Sequence, residues 1–339
     1  MKRFTEIILA GLAALFLYAG TSAGQVGNDG NLAYTVSNLQ ADVPAANGPT
    51  DFVVRNRLDS GCPWTASAEA MLMSRSGGKS SDILVDPVSG AEPLNSNGFN
   101  FPWAAGERVG IVAEDLICCC DVEVAYFGMD EWSAAKAITA SEDGAELRFF
   151  NSPARSTYVL PGETVNFNYV SRLHSTEINL RHPLWERLSV LMGFRYLELH
   201  EELNGNIDGD PTFDVNVNNH LYGGQIGLNV AFVNCCNYSI EGAIKAGVYG
   251  NASNLGMTTP TFVGGLPTKH TAATGEIGLT AIFQVTCNLS ARLGYQAMWI
   301  DGVAIASDQV EFVNTANAKP YMGGTLFYHG ATAGLEYAF

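Results

Sequence analysis

Between Leu188 and Phe232 the chain alternates between apolar and polar or small residues in two long runs. In the first, Leu188, Val190, Met192, Phe194 and Tyr196 share one parity, and Ser189, Gly193 and Arg195 the other; Leu191 is the exception. In the second, Tyr222, Ile226, Leu228, Val230 and Phe232 stand against Gly223, Gln225, Gly227, Asn229 and Ala231. Successive side chains of a strand point to opposite faces, so each run has one apolar face and one polar or small one. Each is about as long as a strand that crosses a membrane obliquely, roughly 9–11 residues, where a strand in a soluble domain is nearer 5–6.

The same period recurs along the chain. Trp64 to Met73 reads as a first strand, and Val109, Ile111 and Ala113 mark a second. Val122, Val124 and Tyr126 mark a third. Val165, Phe167 and Tyr169 open a fourth, whose phase slips between Leu173 and Ile178; a bulge of one extra residue would produce that slip. After the two runs above come Tyr238–Val248, Ile277–Val285, Leu289–Trp299 and Phe327–Phe339. The count is ten, within a range of eight to twelve.

Connections alternate. Short turns fall near Cys119, Glu186, Cys236 and Asn288, and long polar loops near Ser89, Ser141, Gly209, Thr261 and Asn317. Short turns at one end and long loops at the other belong to outer-membrane barrels, with the short turns periplasmic. The predicted fold is therefore all-β: a closed, antiparallel, up-and-down transmembrane β-barrel. Closure leaves no sheet edge, which lipid could not satisfy.

Composition agrees with this. The chain of 339 residues is 47% hydrophobic and 15% charged, with 36 Gly and 13 Tyr. A net charge of −16 leaves no basic stripe for nucleic acid. Lys2, Arg3, an apolar run from Ile7 to Ala19 and Thr21-Ser22-Ala23 read as a signal peptide over 1–23. Its removal leaves the chain one unit more acidic. Residues 24–61 read as a flexible periplasmic linker and 62–339 as the barrel, placed in a bacterial outer membrane with its lipid as partner.

Several stretches resemble a planctomycetal family of outer-membrane β-barrel proteins of unknown function. They include Trp64-Thr-Ala-Ser-Ala-Glu-Ala, Val124-Ala-Tyr-Phe-Gly-Met, Gly193-Phe-Arg-Tyr-Leu, Asn219-His-Leu-Tyr-Gly-Gly-Gln-Ile-Gly, Lys245-Ala-Gly-Val-Tyr-Gly-Asn and Gly294-Tyr-Gln-Ala-Met-Trp-Ile-Asp-Gly-Val-Ala. The resemblance runs from about Trp64 to the last residue and implies an outer-membrane barrel. It brings no catalytic residue, ligand or cofactor. Leu335, Tyr337 and the terminal Phe339 resemble the signal by which barrel-assembly machinery recognises its clients.

The inward parity collects Glu69, Arg195, Gln225, Asn229, Glu241, Lys245, Glu276, Arg292 and Gln296. A mid-membrane Lys or Arg facing lipid costs roughly 2–4 kcal/mol, so these side chains are expected to line the lumen. Around eight strands enclose only enough space for filling side chains, so ten predict a packed or very narrow lumen. The expected function is a structural or narrow-pore, porin-like role. The alternatives are a surface binding or adhesion module using the outer loops, and a barrel enzyme. No nucleophile elbow is present, and His200-Glu201-Glu202 lacks a second His at helical spacing. The six histidines are assigned to rims and loops.

The seven cysteines, Cys62, Cys118, Cys119, Cys120, Cys235, Cys236 and Cys287, all map to the periplasmic rim. The periplasm permits disulfides, so Cys62 or the triplet is expected to bridge turns, the linker, a second copy or an envelope partner. The odd count leaves at least one thiol over. A zinc site is disfavoured because no histidine sits at these turns.

Overall fold

The computed structural model describes residues 64–339, except 79–81, 87, 89–93, 96–97, 118–119, 150–151, 236, 261 and 313–318. The leader, the linker, Cys62, Cys118, Cys119 and Cys236 lie outside the described residues.

Ten long strands form the wall: β1 (Trp64–Gly77), β4 (Ala104–Ile117), β5 (Cys120–Thr139), β8 (Thr164–Trp185), β9 (Leu188–Ile207), β10 (Asp210–Asn234), β11 (Tyr238–Thr259), β13 (Thr268–Gln284), β14 (Leu289–Val303) and β15 (Gly324–Ala338). Each pairs antiparallel with its neighbours, and β1 pairs with β15, so the barrel closes. All ten predicted strands are present. Five short elements lie in the connections: β2 (Asp82–Val85), β3 (Leu94–Asn95), β6 (Ala145–Phe149), β7 (Ser152–Val159) and β12 (Phe262–Gly264). Among the described residues one helix, α1 (Ala306–Phe312), lies between β14 and β15. β3, β2, β6 and β7 make a separate four-stranded sheet.

The lower end of the barrel carries the short turns. Glu186-Arg187 joins β8 to β9, and residues 285–288 join β13 to β14. The upper end departs from the expected long loops. Around Gly209, where a long polar loop was expected, Asn204–Val215 is strand except for Asp208 and Gly209. Both turn residues have positive φ, 49° and 94°, as a type I′ hairpin requires. Asp208 also accepts the backbone N–H of Thr164 at 2.9 Å, tying the turn to β8. The polar stretch around Ser141 likewise holds β6 and β7.

These extensions make the wall uneven. β8, β9, β10 and β11 run 22, 20, 25 and 22 residues, while β1, β4, β14 and β15 run 14 or 15. The tall strands project well beyond the roughly 9–11 residues a membrane needs.

The expected bulge in β8 is not there. Val165, Phe167, Tyr169, Ser171, Leu173, Ser175, Glu177 and Asn179 are all buried, in one unbroken parity. The register shift falls on the partner strand instead, between Met129 and Trp132 of β5. The apparent slip has another cause. The inward face is apolar in the upper half, and the outward face is apolar in the lower half. Ile178 and Leu180 face out, 53% and 38% exposed.

Candidate functional site

The candidate site is the lumen, and its two halves differ in chemistry. In the lower half the outward side chains form an apolar belt that includes Ile226, Leu228, Ile244, Ile277, Leu279 and Leu293, each exposed. Three tyrosine–histidine pairs face outward along its upper margin. The Tyr126, Tyr196 and Tyr295 hydroxyls lie 3.0, 2.9 and 2.6 Å from Nδ1 of His174, His220 and His329.

Inside this belt the lumen is crossed by charge pairs. Arg195 of β9, fully buried, donates to Glu276 of β13 at 3.0 Å and to the Ser175 hydroxyl at 2.9 Å. Lys245 of β11 reaches Glu177 of β8 at 2.9 Å. Gln225 donates to Glu177 at 2.7 Å and to Asn179 at 2.8 Å. Arg292 of β14 bridges Glu69 of β1 and Glu336 of β15, at 2.6 Å each. Arg108 of β4 lies 4.0 Å from both Glu69 and Glu276 and hydrogen-bonds Gln296. Arg181 pairs with Glu123. A buried charge is tolerable only when paired and hydrogen-bonded, and here each cation has a carboxylate partner.

The structure brings together all nine side chains assigned above to the lumen. Glu69, Arg195, Gln225, Glu276 and Gln296 are buried in it, and Asn229, Glu241, Lys245 and Arg292 line a cavity below them. Sequence reasoning missed Arg108, Glu123, Glu177, Asn179 and Arg181. Glu177 and Asn179 were hidden by the supposed slip in β8, although they keep the parity of Val165. The cavity is about 380 Å³. It extends to the short-turn end, where Asp121, Trp185, Arg187 and Asn234 line it.

The upper half is filled. Its inward side chains include Phe167, Leu199, Leu203, Phe213, Val215, Val217, Leu255 and Met257. Against them pack Leu84, Leu94 and Leu147 of the small sheet, and Ile305, Ala306 and Val310 of the segment after β14. That segment is held to the wall by buried polar groups. Asn219 of β10 brackets Ala304, donating to its carbonyl at 2.8 Å and accepting its N–H at 2.9 Å. Just before the segment, Asn251 of β11 donates to the carbonyl of Gly302 at the end of β14, at 3.2 Å. Glu201 of β9 accepts from the Ala306 N–H at 3.1 Å, from Tyr169 at 2.7 Å and from Ser171 at 3.0 Å, and it pairs with Arg75 of β1 across the lumen. The Arg75 guanidinium lies 4.3 Å above the Phe101 ring.

Outside the tall wall the surface is polar. His200 lies 2.7 Å from Asn218, Asn218 donates to Asn216 at 3.0 Å, and Asn166 donates to Asn206 at 3.2 Å. There, partial burial and the nearby Glu202 carboxylate push the Asp214 carboxyl above its usual range.

At the lower rim Cys120 opens β5, Cys235 follows β10 and Cys287 lies in the β13–β14 turn. All three are free thiols. A histidine does reach these turns: His182 of β8 places Nδ1 3.6 Å from the Cys120 sulfur. Among the described residues no cluster of three or more metal-ligating side chains occurs.

A closed ten-stranded antiparallel wall, with an apolar belt outside and charges inside, defines an outer-membrane β-barrel protein. The family described as "Putative beta barrel porin-7 (BBP7)" matches residues 136–329, and the chain belongs to it. Among solved structures, the outer membrane protease OmpT from Escherichia coli is similar in fold, with a TM-score of 0.51 at 11% identity. That match covers 81% of this chain and 96% of the protease chain. The translocator domain of the autotransporter NalP from Neisseria meningitidis matches at 10% identity and TM-score 0.34, covering 83% and 90% of the two chains. The toluene transporter TbuX from Ralstonia pickettii matches at 10% and 0.31, covering 82% and 90%. Likeness at these identities extends to fold alone. No curated protein matches the chain.

Proposed function

We propose that the protein is exported by its leader and acts in a bacterial outer membrane as a porin-like barrel whose lumen is narrow and closed to free diffusion. The observation that supports this reading is the Ala304–Val310 segment, buried inside the upper half and hydrogen-bonded to three wall strands, through Asn219 of β10, Glu201 of β9 and Tyr169 of β8. Below it the pairs Arg195–Glu276 and Lys245–Glu177 cross the lumen above the lower cavity. Passage of a solute therefore requires displacement of the inward segment and rearrangement of the pairs. In the membrane the short turns face the periplasm, by the general rule for such barrels. The terminal Leu335, Tyr337 and Phe339 serve assembly, and removing Phe339 is expected to leave the protein unassembled.

Planar bilayers test this. The native protein should give rare, small current steps. A variant with residues 304–312 replaced by a Gly-Ser linker should give larger and more frequent ones. Large, sustained steps from the native protein would overturn the closed lumen, and silence from both proteins would leave only a structural role.

The tall polar wall favours a second reading, a surface contact module. Shortening β9 and β10 by a matched hairpin truncation should then abolish attachment to cells or matrix while leaving the barrel assembled. No motif or side-chain cluster among the described residues supports an enzyme, and fold likeness to a protease carries no activity.

A further inference from the structure

We propose that Cys120 and His182 form a binding site for a thiol-seeking divalent cation of the zinc type, on the outer surface of the barrel's short-turn rim. The placement comes from the strand register. Asp121 pairs with Arg181 and Val122 with Leu180 across the β5–β8 ladder. One step further toward the rim, Cys120 stands opposite His182. The two share the outward parity of Val122 and Leu180, while Asp121 and Arg181 turn inward to line the cavity.

The distance is the second observation. A tetrahedral zinc centre has a Zn–S bond of about 2.3 Å and a Zn–N bond of about 2.0–2.1 Å, which places sulfur and nitrogen about 3.6 Å apart along one edge. The Cys120 Sγ to His182 Nδ1 distance is 3.6 Å. The pair is spaced for a metal with no movement of the backbone. Two rigid, hydrogen-bonded strands hold it there, which lowers the cost of ordering the ligands.

The chemistry selects the ion class. A thiolate and an imidazole favour borderline-soft cations over magnesium or calcium, which prefer oxygen. His182 is exposed and Cys120 partly so, so the ion enters from solution. The guanidinium of Arg181, next to His182 in sequence, is occupied by Glu123 inside the lumen. On binding, the thiol proton leaves to solvent, the sulfur forms the metal bond as thiolate, and Nδ1 gives its lone pair. Two protein ligands leave the remaining positions to water or an incoming donor.

The test uses the full-length protein, folded in detergent micelles and treated with a phosphine reductant. Cobalt(II) is the probe, because thiolate ligation gives it a sulfur-to-metal absorption band; zinc then competes it away. The native protein should show that band with cobalt affinity lowered by at least about tenfold in both Cys120→Ser and His182→Ala, the scale on which outer-shell partners already matter. Cys235→Ser and Cys287→Ser should bind as the native protein does. Heat-modifiable migration checks that each variant is folded. Absence of the band in the native protein would overturn the proposal. So would full cobalt affinity in His182→Ala, which would assign the metal to other cysteines, or a Cys120 found by mass spectrometry to be locked in a disulfide after reduction.

Discussion

The lower and upper halves of the barrel are built from the same strands with their faces exchanged. On β9 the lower half points Met192 and Phe194 outward and Arg195 inward, while the upper half points Leu199 and Leu203 inward and His200 and Glu202 outward. β10 does the same, with Ile226 and Leu228 out below and Val215 and Val217 in above. The backbone is continuous across the change. What differs is the solvent on each side. Below, lipid lies outside and a polar lumen inside. Above, the outside meets water and the inside meets the small sheet and the α1 segment. A strand's apolar face follows its surroundings, so a change of face along an unbroken strand marks where the surroundings change.

Substitutions can break this contrast, beginning with the most costly. Glu201→Ala leaves the Arg75 guanidinium buried without its carboxylate. It should lower stability by about 3–5 kcal/mol, read from denaturant unfolding in micelles. Replacing both, as Arg75→Met with Glu201→Leu, should recover most of that loss. Next, Leu228→Arg places a cation in the lipid belt and should cost roughly 2–4 kcal/mol and deplete the assembled form in membranes. Asn218→Arg, on the same strand and the same face but in the upper half, should assemble normally. Equal damage from the two would sink the two-environment account. A smaller effect is expected from Asn219→Ala, which leaves the Ala304 N–H and carbonyl without partners. It should cost about 1–3 kcal/mol and speed hydrogen exchange in the 304–310 segment first.

The sequence made the lower half legible because one rule, apolar out and polar in, held over a membrane's width. The ten strands and the belt residues follow from that rule, and closure from it together with the alternation of short and long connections. The upper half was obscured for the same reason. Where the rule inverts, β8 reads as a slipped strand and Asn204–Val215 reads as a loop, since a polar outward face mimics loop composition. The helix α1 has too few residues to display a period. The cross-lumen partners depend on register between strands far apart in sequence. Arg75 and Glu201 are 126 residues apart, and no local pattern pairs them. The Cys120–His182 contact, 62 residues apart, was invisible on the same ground.

The Asp208-Gly209 turn also bears on the order in which the barrel can form. It joins β9 to β10, whose pairing runs from Ile207 opposite Asp210 to Leu188 opposite Val230, through a two-residue loop that already has the required backbone twist. Closing so short a loop costs little chain entropy, whereas β1 cannot meet β15 until nearly the whole chain has been delivered. Assembly is thus expected to begin at this hairpin and to end at the seam. Asp208→Pro should then slow the appearance of the folded species far more than it hastens its loss, a signature that time-resolved refolding into vesicles would display.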